Sequence, residues 1–143
     1  MRKINYIVVH CSATREGCTL TSEVLEAEHR RRGFRTTGYH YYIRRDGTVL
    51  GTRSLELPGA HCRGHNKYSI GICYEGGLDA RGNPKDTRTP EQRSAPAPAG
   101  VPAATTVPER PCMRPPRPQS RFGRRWDGGA VGVGEAVSVL RGK

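Results

Sequence analysis

Long apolar runs are absent from this 143-residue chain: hydrophobic residues make up 34% of it and mean hydropathy is -0.69. No stretch of about 18 apolar residues exists to cross a bilayer. Acidic residues are scarce, 13 against 24 Lys and Arg, and the net charge of +11 favours polyanionic partners: nucleic acid, an anionic lipid surface or an acidic polymer. Charge alone does not choose among them. Cysteine is odd in number, five, with no C-x-x-C pair, which speaks against a disulfide framework or a zinc ribbon and for a reducing compartment. The stretch from Met1 to His10 has too short an apolar segment for a secretory signal peptide. The length suits one domain plus tails.

Composition shifts near Ser94. Residues 1–94 hold all six Tyr, all five Ile and all five His. Residues 95–143 hold eight of the 11 Pro and seven of the 18 Gly, and lack the material of an ordinary core. At the junction, Thr89-Pro90-Glu91-Gln92 reads as a helix start with a hydroxyl cap, proline at the first helical position and a capping-box Gln. Pro96, Pro98 and Pro102 then forbid continuation. Two explanations compete: a Pro/Ala-rich linker with a disordered basic tail, or a reading frame displaced near Ser94, since misread GC-rich codons yield Pro, Arg, Ala and Gly. The domain division expected is therefore 1–94 folded and 95–143 a Pro/Gly/Arg-rich tail, disordered or frameshifted.

Within 1–94, Ile4 to Val9 is a β-branched apolar run of the kind buried on both sheet faces. Its end, at His10, is where α/β proteins place chemistry. Thr21 or Ser22 can cap a helix with Glu23, Glu26 and Glu28 near its start, Arg30 to Arg32 near its end and Gly33 as the stop. The Arg triplet reads more simply as a solvated, dipole-complementing helix end than as a nucleic-acid patch. Tyr39 to Ile43 and Thr48 to Thr52 flank Arg44-Arg45-Asp46-Gly47, a hairpin signal. Tyr68 to Tyr74 alternates large and small residues, a strand whose Gly/Cys face admits close approach. The order strand, helix, hairpin, strand, aborted helix predicts an α/β fold: a mixed central sheet with flanking helices, incomplete at the C-terminus.

Any one of the five histidines is more simply structural than functional, but several at strand ends and in His61-Cys62-Arg63-Gly64-His65-Asn66 make a polar site plausible. Taken in order, Val8 to Thr14, Gly38 to Tyr41, Arg45 to Val49, Gly59 to His61, Asn66, Ser69 to Ile72 and Thr89 to Gln92 resemble the zinc-dependent N-acetylmuramoyl-L-alanine amidases. That family includes phage lysozyme-type amidases and peptidoglycan recognition proteins. The resemblance covers residues 3–94 and implies hydrolysis of the amide joining the lactyl group of N-acetylmuramic acid to L-alanine of the stem peptide. It implies zinc as cofactor, which would polarise the carbonyl and acidify its bound water. By the motif match, His10 is the first zinc ligand, Tyr39 the catalytic hydroxyl beside the metal water, and His61 and Asn66 line the substrate groove. Glu75 reads as a solvated strand end rather than an extra carboxylate of the site.

The chain also departs from the family. The resemblance calls for a second His, then a Cys or Asp and a nearby Lys after the last long helix. Residues 95–143 hold no His, and Cys112 is their single Cys. A catalytic zinc takes three protein ligands, so the site is expected to be incomplete and amidase activity impaired. Cys11, Cys18, Cys62 and His65 are other donors, but Cys62-x-x-His65 is too weak a spacing to make a zinc site. The expected partners are peptidoglycan or muropeptides, with no nucleic acid, no membrane span and a monomeric state. A cytoplasmic location, or release to the wall by a separate route, follows from the missing leader. A non-catalytic peptidoglycan-binding module is the alternative. A basic nucleic-acid binder using Arg110, Arg114, Arg117, Arg121, Arg124 and Arg125 is the remote one, lacking aromatic interleaving or a recognition helix. With the sheet partly uncovered, an ordered unit of this size would be marginally stable.

Overall fold

The structure, a computed structural model, describes residues 2–101 and the backbone of residues 137–138. Most of the expected tail, with Cys112 and the basic arm, lies outside the described residues. The elements are β1 (Tyr6–Cys11), β2 (Thr14–Arg15), α1 (Ser22–Arg31), β3 (Tyr41–Ile43), β4 (Val49–Gly51), a single 3-10 turn (Asn66–Tyr68), β5 (Ser69–Tyr74), β6 (Gly77–Leu78), α2 (Pro90–Arg93) and β7 (Val137–Ser138). The main sheet runs β4-β3-β5-β1-β7, and β2 pairs with β6 separately. It is mixed: β5 lies parallel to both β1 and β3, while β3–β4 and β1–β7 are antiparallel. An α/β architecture with a mixed central sheet is thus what the residues form, as the element order predicts.

The apolar strand expected at Ile4 to Val9 forms two residues later, at Tyr6–Cys11, and pairs with β5 from Tyr6↔Ser69 to Cys11↔Tyr74. Partners in a parallel pair share a sheet face and successive side chains alternate, so Val8 and His10 stand with Gly71 and Cys73. Tyr42, opposite Cys73 on β3, joins the same face. There Leu25, Tyr39, Tyr42 and Cys73 form one buried cluster, with Leu20 and Leu50 against it. The opposite face collects Val9, Cys11 and Tyr74, with Ile43. Every residue of β5 is buried, which accounts for its unbroken run of small and apolar side chains.

Helix α1 starts as its sequence dictates: Thr21 is the N-cap, and its Oγ1 accepts the Val24 N–H at 3.3 Å. Leu25 and His29, one turn apart, are its buried side. Arg30 and Arg31 pair with Glu26 and Glu28 at the exposed end, the solvated arrangement expected of the Arg triplet. The hairpin turn closes through the Gly47 N–H on Arg44 O at 2.9 Å, with Gly47 at φ +84°, a conformation open to glycine at little cost.

Thr89 to Gln92 makes a complete capping box, and α2 ends after four residues with Ser94 as its C-cap. The Gln92 amide donates to Ile43 O at 3.2 Å and Glu75 O at 3.0 Å, while Thr89 Oγ1 donates to Arg45 O at 2.6 Å. The cap is tied to the ends of β3 and β5, which holds this single turn in place. No helix among the described residues is long and apolar enough to cross a membrane.

Candidate active site

Three chain segments deliver the site. His10 sits near the end of β1 and is fully buried; Tyr39 lies just before β3; His61 sits in the loop between β4 and β5. The ring centroids of His10 and Tyr39 are 5.2 Å apart, those of His10 and His61 5.1 Å, and those of Tyr39 and His61 6.3 Å. Three of the four residues that the sequence nominates therefore share one buried face of the sheet. All three are less than a tenth exposed.

The contacts around His61 explain its placement. His61 Nδ1 lies 3.0 Å from His10 Nε2, and its Nε2 lies 3.3 Å from Ser69 Oγ. A Cβ on Gly71 would stand 2.4 Å from the His61 ring, and one on Gly59 equally close. The small face of β5 exists to admit this imidazole. Asn66, the fourth nominated residue, stands five positions on, and its Oδ1 accepts the His61 and Cys62 N–H groups, each at 2.9 Å. It braces the loop that carries His61.

Two further imidazoles complete the cluster. His40 Nδ1 accepts the Gly71 N–H at 3.0 Å, and its Nε2 lies 3.0 Å from Leu57 O and 3.1 Å from the Arg2 guanidinium. His29 Nδ1 accepts the Gly38 N–H at 3.1 Å, and its ring lies 5.3 Å from that of Tyr39. Sequence reasoning passed over His29, although its position four residues after Leu25 on the apolar side of α1 is a usable signal. Burial disfavours the charged form of each ring. It lowers His10 to about 4 and, with the nearby His10, His40, Arg2 and Arg53, lowers His61 to about 2. At neutral pH the cluster is a set of uncharged hydrogen-bonding rings.

Glu75 corrects the expectation of a solvated strand end. It is 1% exposed, and its carboxylate accepts the Leu20 N–H at 2.7 Å and the Arg45 N–H at 3.1 Å. Its acceptors join loops on either side of the sheet end. Cys62-x-x-His65 closes a turn, His65 N–H donating to Cys62 O at 3.0 Å, with the His65 ring edge-on to Tyr6. Cys73 is a buried thiol and Cys18 an exposed one, and Cys11 is buried on the opposite face of the sheet.

Fit to a metal can be judged from donor atoms. His10 Nδ1 is buried and has no hydrogen-bond partner among the described residues, so its donor atom is compatible with a metal. Yet no group of three His, Cys, Asp or Glu that could hold a metal occurs among the described residues. The described residues supply one suitable donor and do not fit a complete catalytic zinc centre.

Comparison with known proteins adds an independent line. The family model described as N-acetylmuramoyl-L-alanine amidase matches residues 1–104. The endolysin of Enterobacteria phage K11 is 44% identical over 87 residues, 61% of this chain and 58% of the endolysin. A peptidoglycan-recognition protein of Drosophila melanogaster is 31% identical over 81 residues, 53% of this chain and 44% of that protein. Among solved structures, the N-acetylmuramoyl-L-alanine amidase LysC of Clostridium intestinale URNW superposes with a TM-score of 0.57 at 31% identity, covering 66% of this chain and 58% of that one. The chain thus spans less than two thirds of the length of these relatives.

Proposed function

We propose, for a chain that belongs to the N-acetylmuramoyl-L-alanine amidase family, that its target is peptidoglycan and its bond the amide between N-acetylmuramic acid and L-alanine of the stem peptide. The observation that carries this reading is the convergence of His10, Tyr39 and His61, from three separate segments, on one buried face of the sheet. In this reading Tyr39 offers its hydroxyl to the oxygen on which charge develops. His61 and Asn66 form the wall against which the muropeptide lies, and His10 is the metal-facing residue. The net charge of +11 suits a wall polymer rich in carboxylate and phosphate.

Hydrolysis by this chain is weak in the same reading, because the described residues leave His10 without companion ligands. A non-catalytic peptidoglycan-binding module is the second reading, supported by that shortage and by likeness to a peptidoglycan-recognition protein. The test uses the full 143-residue chain, loaded with zinc and freed of excess, with metal analysis, cell-wall co-sedimentation and mass spectrometry of muropeptide products. The expected result is sub-stoichiometric zinc, co-sedimentation with walls and little release of stem peptide. Stoichiometric zinc with chelator-sensitive cleavage overturns the impairment. Failure to bind walls and to cut muropeptide overturns the peptidoglycan reading altogether.

A further inference from the structure

The hydrogen-bonded row Ser69–His61–His10 is not explained by a groove-lining role for His61. Its links are His61 Nε2 to Ser69 Oγ at 3.3 Å and His61 Nδ1 to His10 Nε2 at 3.0 Å, and it ends at His10 Nδ1, buried and without a partner among the described residues. Two neutral imidazoles in a row have only two consistent arrangements of their protons. In one, the Ser69 hydroxyl donates to His61, His61 donates through Nδ1 to His10, and the remaining proton of His10 sits on the orphaned Nδ1. That strands a buried N–H, the more costly kind of orphan. In the other, His10 donates from Nε2 to His61, His61 donates from Nε2 to Ser69, and His10 Nδ1 keeps a free lone pair. A serine hydroxyl rotates to serve either case.

We propose that His61 is the positioning residue of His10, holding it as the Nε2–H tautomer with the Nδ1 lone pair free. The surroundings of His61 serve this end. Gly59 and Gly71 make room for the ring, since a Cβ at either would stand 2.4 Å from it. Asn66 fixes the backbone at His61, and His40 fixes Gly71 through its N–H. The ring orientation of His61 is thereby set before any substrate arrives, and the proton position of His10 follows. The use of the free nitrogen in hydrolysis rests on the amidase reading, but its tautomeric state does not.

The experiment is a long-range 1H–15N correlation spectrum of the 143-residue chain with 15N-labelled histidine, at neutral pH and without added metal. His10 is expected to show the Nε2-protonated pattern. His61→Ala is expected to give a tautomer-averaged His10 signal, and His61→Gln, whose amide oxygen can accept from Nε2, to restore the single tautomer. An Nδ1-protonated His10 in the unmutated chain overturns the proposal, whether or not the variants fold. So does an unchanged His10 signal in folded His61→Ala. Because the spectrum reads a proton position and not turnover, its outcome stands apart from whether the chain binds walls or cuts muropeptide, and failure in those assays counts against the peptidoglycan reading alone.

Discussion

Acid should unfold this protein through His29 in a way that one substitution isolates. His29 is 5% exposed, and its Nδ1 accepts the Gly38 N–H at 3.1 Å, so a proton added at Nδ1 would face a donor. Burial, reinforced by Arg32 and partly opposed by Glu28, lowers its pKa from 6.5 to about 4. The folded value lies below the unfolded one, so the unfolded chain binds more protons between them and stability falls as pH falls. The contribution is fully present above about pH 6.5. It declines by about 2 kcal/mol between pH 7 and 5 and by about 3 kcal/mol at pH 4, below which it levels off. His29→Gln keeps an acceptor for Gly38 and removes the titrating ring, at the cost of about 1 kcal/mol of ring contact with Tyr39 that does not vary with pH. Urea midpoints by far-UV circular dichroism at pH 7, 6 and 5 should therefore converge, the variant starting less stable and losing less. Parallel loss in the two proteins would refute the assignment of a buried neutral His29.

Two further substitutions test the packing that presents the site. Gly71→Ala places a Cβ 2.4 Å from a His61 ring held at both nitrogens, so overpacking should cost about 2 kcal/mol in urea denaturation; an unaltered midpoint would mean that the ring is free to move aside. Glu75→Ala strips the acceptor from two backbone N–H groups and should cost about 3 kcal/mol, while Glu75→Gln, which retains one acceptor oxygen, should cost less by the same assay; equal losses would show that side-chain volume and not hydrogen bonding is what Glu75 supplies.

What the sequence made legible were features with a local signature. The Thr21 cap, the Asp46-Gly47 turn, the small face of β5 and the Thr89 capping box each specify their structure within a few residues, and each forms. His10, Tyr39 and His61 were nominated through an ordered set of motifs, not through any period in the chain. The misses are those decided by distant partners. Glu75 reads as solvated because the N–H groups it accepts belong to Leu20 and Arg45, 55 and 30 residues away. The β2–β6 pair, two residues per strand, is too short for alternation to register.

The same residues that form the site also form the core beneath it, and this ties stability to chemistry more closely than an aliphatic interior would. The site face carries few branched apolar side chains: its cluster is Leu25, Tyr39, Tyr42 and Cys73, beside the buried imidazoles of His10, His29, His40 and His61. Burying polar rings costs free energy unless each finds hydrogen-bond partners. Here the partners are largely backbone groups, Gly38 for His29 and Gly71 for His40, or the next ring along the row. Such a core is held by direction as much as by area, so it fixes where each ring nitrogen lies, and it loses cohesion when any one nitrogen changes its proton. His10 Nδ1 is the exception in this core, buried and unmatched among the described residues. By the same logic its unmatched nitrogen marks His10 as the ring whose proton placement the surrounding backbone constrains least.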